Sequence, residues 1–80
     1  MGKAVPRFDF QVVRADRRII HTESQTLLGI AAVWERVAAL AEGVTDQGAR
    51  IHVLDEQGEA IIRVGVVTAR ASTRRERIAA

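Results

Sequence analysis

The 80-residue sequence contains no cysteine and no tyrosine, and its aromatic side chains are two phenylalanines and one tryptophan. Without cysteine the chain can form neither disulfide bonds nor thiolate metal sites. A chain without disulfides is compatible with a reducing compartment, so we expect a cytoplasmic protein. The small number of aromatic rings also leaves few platforms on which nucleic-acid bases could stack.

Long apolar runs are absent as well. No stretch approaches the roughly 18 apolar residues that span a bilayer, and residues 1–10 lack the apolar core of a signal peptide. We therefore expect neither membrane insertion nor secretion. A chain of this length forms one small domain that buries only about 60 to 65% of its unfolded surface, so a partner subunit would add useful stability.

Motifs that carry chemistry are missing too. His21 and His52 are the two imidazoles, and the sequence has neither an H-x-x-x-H spacing nor a glycine-rich phosphate loop. Both histidines are expected to be ordinary strand residues, and Ser24 is expected to cap a helix rather than act as a nucleophile. The sequence thus predicts no enzyme, no catalytic, cofactor-binding or metal-binding residue, and no small-molecule substrate.

The N-terminal third has the pattern of a β-hairpin. Phe8, Phe10 and Val12 alternate with polar residues, which is typical of a strand with one buried face. A second strand follows from Ile19 and is expected to end near Thr22 or Glu23. The turn between them lacks the glycine that tight hairpin turns prefer.

A helical period extends from about residue 25 to residue 42. Its apolar residues form one wide stripe that includes Trp34, which is therefore expected in the core, with an exposed interface anchor as the alternative. Ser24, or Thr22 with Gln25, is expected to cap the start of this helix. Gly43 is expected to end it in a left-handed conformation.

A second hairpin is predicted over residues 49–67, where two β-branched runs flank a D-x-x-G turn. Asp55 is expected to accept hydrogen bonds from backbone amides ahead of it, and Gly58 is expected to have a positive φ. The resulting order is strand, strand, helix, strand, strand. It predicts an α+β fold, in which a four-stranded and mainly antiparallel sheet has one helix packed on one face. Residues 1–67 are expected to form this single domain, and residues 68–80 a basic tail that is flexible or weakly helical.

Two segments resemble a family of short bacterial proteins of unknown function. Members of that family open with a P-R-aromatic-x-F strand, as in residues 6–10, and close with an I-x-V-x-D-E-x-G hairpin, as in residues 51–58. The likeness covers about residues 6–67. An acidic, glycine-containing link before the helix is expected from the family, whereas this chain has Arg17, Arg18, His21 and Thr22 there. The resemblance implies no activity, cofactor or catalytic residue.

Two functional hypotheses follow from the sequence. The first is a non-catalytic interaction module that forms a homodimer. One helix cannot cover both faces of the apolar last strand, so another subunit or the tail is expected to complete the cover. The strand residues expected to point away from the helix and to form the interface are Ile61, Gly65 and Val67.

The alternative is a small accessory protein that binds nucleic acid. Residues 68–80 hold four arginines and one glutamate, while residues 1–67 hold eight basic and nine acidic side chains. The nearly neutral body argues against a broad phosphate-binding face. Contacts with nucleic acid would then come from the tip of the first hairpin and from the tail arginines Arg70, Arg74, Arg75 and Arg77.

Overall fold

The computed structural model describes residues 5–71. Its elements are β1 (Arg7–Val13), β2 (Ile19–Thr26), α1 (Gly29–Glu42), β3 (Arg50–Leu54) and β4 (Ala60–Gly65), followed by a helical segment over residues 66–71. The strands form one antiparallel sheet in the order β2-β1-β3-β4. The α+β prediction is therefore confirmed, and α1 is the connection from the first hairpin to the second. No helix within residues 5–71 has the length and apolar character needed to cross a bilayer.

The core lies between α1 and one side of the sheet, which we call the helix face; the other side is the open face. Alternation along the two central strands places Phe10, Val12, Ile51 and Val53 on the helix face, where all four are buried. From α1, residues at successive turns meet them. These buried helix residues are Val33, Val37 and Ala41.

Both hairpins use the same kind of turn. In the second hairpin the Gly58 amide donates to the Asp55 carbonyl at 3.0 Å, and the Asp55 carboxylate accepts bonds from two further backbone amides. Gly58 has φ +81°, as the sequence predicts. In the first hairpin the Arg17 amide donates to the Arg14 carbonyl at 2.9 Å, and Arg17 itself has φ +72°. A bulky side chain therefore occupies a conformation that favours glycine.

The start of α1 differs from the prediction. β2 continues to Thr26, so the polar residues expected in the first helical turn belong to the strand, where Ser24 lies opposite Asp9. The Ser24 hydroxyl donates to the Asp9 carboxylate at 2.6 Å and caps nothing. Leu28 is the N-cap residue and makes no side-chain cap bond, and Gly43 ends the helix with φ −88° instead of a left-handed angle. Cross-strand pairing outweighs the capping tendency of these residues.

The end of the second hairpin also differs. β4 was predicted to reach Val67 but ends at Gly65, and the chain becomes helical from residue 66. Val66 and Ala69, which are one turn apart, are buried in the core. The packed body therefore extends beyond the predicted boundary at residue 67, because these two side chains contribute apolar area to the core. The remaining part of the predicted flexible tail, residues 72–80, lies outside the described residues.

The turn geometry predicts the effect of replacing Gly58. A Cβ added at this position meets no atom within 4 Å, so the cost of a side chain is backbone strain alone. We expect Gly58→Val to lower the free energy of unfolding by at least about 1 kcal/mol, and Gly58→Asn to cost less because asparagine tolerates positive φ. Denaturant titration of the three proteins measures this order. Equal midpoints would show that the turn does not hold Gly58 in the left-handed region.

The equivalent position in the first hairpin predicts the opposite sign. Arg17 has φ +72°, which costs an L-residue about 1–2 kcal/mol, whereas glycine adopts it freely. Greater freedom of glycine in the unfolded chain offsets about 0.4–1 kcal/mol of this gain. Arg17→Gly is therefore expected to raise the unfolding free energy by about 0.5 kcal/mol, measured by the same titration. A lower midpoint would contradict the strained turn.

Candidate functional site

A partly buried ion pair joins the edge strand β2 to α1. Glu23 lies opposite Phe10 on the helix face, and its side chain is 14% exposed. Arg36 extends from α1 and donates two hydrogen bonds to this carboxylate, from Nε to Oε2 at 2.6 Å and from Nη2 to Oε1 at 2.7 Å. This paired geometry is the strongest that a guanidinium and a carboxylate form.

Two neighbours on β2 complete the shell of Glu23. Gln25 Nε2 donates to Oε2 at 3.1 Å, and His21 Nε2 lies 2.8 Å from Oε1. Hydrogen bonding from Arg36 is the largest cause that lowers the pKa of Glu23 to about 2, against an opposing effect of burial. The same contact raises the pKa of Arg36. Glu23 is therefore a permanent anion near neutral pH and cannot exchange a proton as an acid or base there.

A cleft of about 600 Å³ adjoins this pair, between the first hairpin and the C-terminal half of α1. Arg14, His21, Arg36 and Asp46 supply its polar groups. Asp46 accepts bonds from the Ala15 and Gly48 amides, so its carboxylate holds the following loop. Both carboxylates around the cleft thus have partners among the described residues: Glu23 binds Arg36, and Asp46 binds backbone amides.

Metal binding finds no support in the part of the chain that the structure describes. Within residues 5–71, no three histidine or acidic side chains converge in a way that could hold a metal ion.

The predicted interface residues fall on two different elements. Gly65 lies on the open face of β4, opposite Arg50. Ile61 is the extra residue of a β-bulge in β4 and is 43% exposed. Val67 is half exposed but belongs to the helical segment, so the three residues do not share one strand face. The reason is the early end of β4 at Gly65.

Of the tail arginines, the structure describes Arg70. Its guanidinium donates to the carbonyl of Ala41 at 2.9 Å and to that of Val44, at the C-terminal end of α1. Carbonyls at a helix end have no partner within the helix, so this side chain caps α1. Arg70 is thus engaged inside the chain, while Arg74, Arg75 and Arg77 lie outside the described residues.

The two edges of the sheet differ in chemistry. From His21 to Thr26, β2 carries only polar side chains, and its charged Glu23 is fixed by α1. From Ala60 to Gly65, β4 carries a single polar side chain, Arg63. An edge strand exposes unpaired backbone groups, and charged or polar residues are the usual protection against pairing with another chain. β4 has little of that protection.

An apolar flank of α1 lies on the same side of the molecule as β4. α1 packs over the central strands β1 and β3. Arg36 points toward β2, and Trp34 lies about 200° away around the helix, on the opposite flank. Trp34 is 42% exposed, and Ile30, one turn earlier, is also exposed. The prediction that Trp34 is a core residue is wrong, and the alternative of an exposed interface anchor stays a prediction.

Comparisons with protein-family models, curated proteins and solved structures find no match to this chain. The resemblance to short bacterial proteins therefore stays a prediction.

Sequence reasoning missed the Glu23–Arg36 pair. The two residues are 13 positions apart, on elements of different period, and no local pattern joins them. One signal was present: a charged residue at the helix-face position of a strand needs a partner of opposite charge.

The ion pair predicts a specific dependence of stability on pH. The pKa of Glu23 is lower in the folded than in the unfolded chain, so its stabilisation is complete above about pH 5 and is lost as the pH falls toward 2. The contribution at neutral pH is at most about 3 kcal/mol and is reduced by screening at the partly exposed Arg36. Glu23→Gln is expected to destabilise the protein by about 1–3 kcal/mol at pH 7 and by about half as much at pH 3.

Urea titrations at pH 7, 5 and 3 measure this difference. Glu35→Gln is the matched control, because Glu35 is an exposed glutamate on α1, next to Arg36 in the sequence. The control is expected to follow the wild-type curve at every pH. A Glu23→Gln protein whose stability loss is the same at pH 7 and pH 3 would show that the carboxylate is not the titrating group.

Proposed function

We propose that this chain is a non-catalytic interaction module that self-associates through the β4 edge. The observation that carries the proposal is the contrast between the two edges: β2 is polar from His21 to Thr26 and is bound to α1 there, whereas β4 is apolar except for Arg63. Two chains that pair along β4 would satisfy the unpaired backbone groups of both edges. In such a dimer the sheet continues from one subunit into the next.

The apolar flank of α1 supports the same assignment. Ile30 and Trp34 lie on the side of α1 away from β2, and both are exposed in the single chain. Partly exposed tryptophans are enriched among residues that anchor interfaces. A second copy at the β4 edge brings its own Ile30 and Trp34 toward the same boundary, because a two-fold interface uses one patch on both subunits. The cytoplasm remains the compartment we propose, from the absence of cysteine.

The nucleic-acid alternative, as the sequence suggested it, loses part of its basis. Arg70 caps α1. At the tip of the first hairpin, Arg14 lies 3.9 Å from the Asp46 carboxylate and Arg18 lies 3.8 Å from that of Asp16. Carboxylates beside these guanidinium groups reduce the charge available to phosphate. Self-association through β4 is the function the described residues support better.

The dimer is tested by introducing charge at the bulged isoleucine of β4. Ile61→Lys is expected to shift the protein from dimer to monomer, because a charged edge residue opposes strand pairing. Sedimentation velocity over a concentration series measures the dissociation constant, which we expect to rise at least tenfold. The matched control is Ile20→Lys, since Ile20 is the extra residue of the equivalent bulge in β2 and is 50% exposed.

A second variant tests the part of the proposed subunit interface that α1 supplies. Trp34→Lys is expected to weaken association without unfolding the chain, because Trp34 is not part of the buried core. Circular dichroism of each variant confirms that the fold is retained. A wild-type protein that stays monomeric at high micromolar concentration, or an Ile20→Lys protein that dissociates as readily as Ile61→Lys, would overturn the proposal.

A further inference from the structure

The fold separates charges that the sequence mixes. All three arginines carried by strands lie on the open face: Arg7 on β1, Arg50 on β3 and Arg63 on β4. Of the two acidic residues carried by strands, Glu23 lies on the helix face and only Asp9 on the open face. The open face is therefore basic even though residues 1–67 together are nearly neutral.

Arg50 and Arg63 form the centre of this basic face. Arg63 lies opposite His52, and Arg50 lies opposite Gly65, so the two arginines are diagonal neighbours on adjacent strands. Residues in that relation are about 7–8 Å apart. Among the described residues, neither guanidinium has a carboxylate within salt-bridge distance, whereas Arg7 lies 3.7 Å from Asp9. Two adjacent cations without an anion repel each other, and a bound anion would remove that repulsion.

The neighbours of the two arginines leave room for such an anion. Gly65 has no side chain, and a Cβ added there meets no atom within 4 Å. The pKa of His52 is lowered, first by burial and then by the charges of Arg63 and Arg50. A neutral imidazole can donate or accept a hydrogen bond. The patch thus presents two guanidinium groups and an imidazole around the open space above Gly65.

Uncharged polar side chains continue across the face from this patch. Gln11 lies opposite both His52 and Thr22, and along β2 Thr22 and Thr26 lie on either side of Ser24, whose hydroxyl donates to Asp9. Arginine, glutamine, serine and threonine are the side chains that most often contact phosphate and sugar. The phenylalanine and tryptophan rings lie elsewhere: Phe8 and Phe10 are on the helix face, and Trp34 is on α1.

We propose that the open face binds the phosphodiester backbone of nucleic acid, with Arg50 and Arg63 as the phosphate contacts. The charge of the patch selects an anion, and the hydroxyl and amide groups beside it suit a chain of phosphates and sugars. Because neither phenylalanine nor tryptophan stands on this face, base stacking contributes little, and binding is largely independent of sequence and strongly dependent on salt. The site lies within one chain and does not require the dimer.

Fluorescence anisotropy with a labelled single-stranded oligonucleotide, over a series of salt concentrations, tests the site. Arg50→Gln and Arg63→Gln are each expected to weaken binding several-fold at low salt. Each is also expected to reduce the slope of log affinity against log salt by about 0.7, the value for one phosphate contact on a single strand. Arg7→Gln is the matched control, since Arg7 is on the same face but beside Asp9, and its effect is expected to be smaller.

A second readout is the titration of His52, followed by NMR. Saturating oligonucleotide is expected to raise the pKa of His52, because the phosphates offset the charges of Arg50 and Arg63; Arg63→Gln alone is expected to raise it as well. Running both assays on Ile61→Lys as well as on the wild type separates this site from the proposed self-association.

Three results would overturn the site. One is unchanged oligonucleotide affinity in the Arg50→Gln, Arg63→Gln double variant. Another is binding that survives this double variant but is lost when residues 72–80 are removed, which would assign the phosphate contacts to the tail. The third is equal affinity, at the same salt, for a polyglutamate peptide and the oligonucleotide, which would assign the face to an acidic protein segment.

Discussion

A single helix covers one face of a four-stranded sheet, and most of the molecule follows from this one-sided cover. Strand side chains alternate between the faces, so every position is either under the helix or in solvent. The central strands meet this constraint with buried Phe10, Val12, Ile51 and Val53 beneath α1. Most of their alternate positions carry polar residues, and the strand arginines lie among them on the open face. Exposed Glu35 and Glu42 lie on α1, on the other side of the sheet.

α1 does not cover the two edge strands completely, and the two hairpins differ in the side chains that they place at these edges. β2 places polar side chains under the margin of the helix, and Arg36 compensates the charge of Glu23 there. β4 keeps apolar side chains, and the helical segment after it adds Val66 and Ala69 to the core. The segment is fixed in turn by Arg70 at the end of α1. The β2 edge is therefore polar where α1 binds it, whereas the β4 edge is apolar. The two hairpins have the same kind of turn, but only the β4 edge suits pairing with another chain.

The features predicted correctly from the sequence are those whose cause is local. Alternation around Phe10, the helical period and the Asp55–Gly58 turn each lie within a single strand, helix or turn, and each appears in the structure. The incorrect predictions concern segments whose secondary structure depends on contacts with residues distant in the sequence. Thr22 to Thr26 have a polar composition that suits a helix cap, but pairing with β1 makes them strand. Val66 continues an apolar run that resembles a strand, and only the core shows that it begins a helix.

The candidate surfaces were less predictable than the fold because they depend on which side of the sheet a charge occupies. Counting charges over residues 1–67 gives a nearly neutral body, and that count cannot distinguish a mixed surface from two separated ones. Strand register makes the distinction, since a shift of one residue would move Arg50 and Arg63 to the helix face. Pairing along an edge extends a sheet in its own plane and leaves its open face uncovered. Self-association at β4 would therefore place the Arg50 and Arg63 patches of two chains on one continuous surface, and a longer anion would contact both.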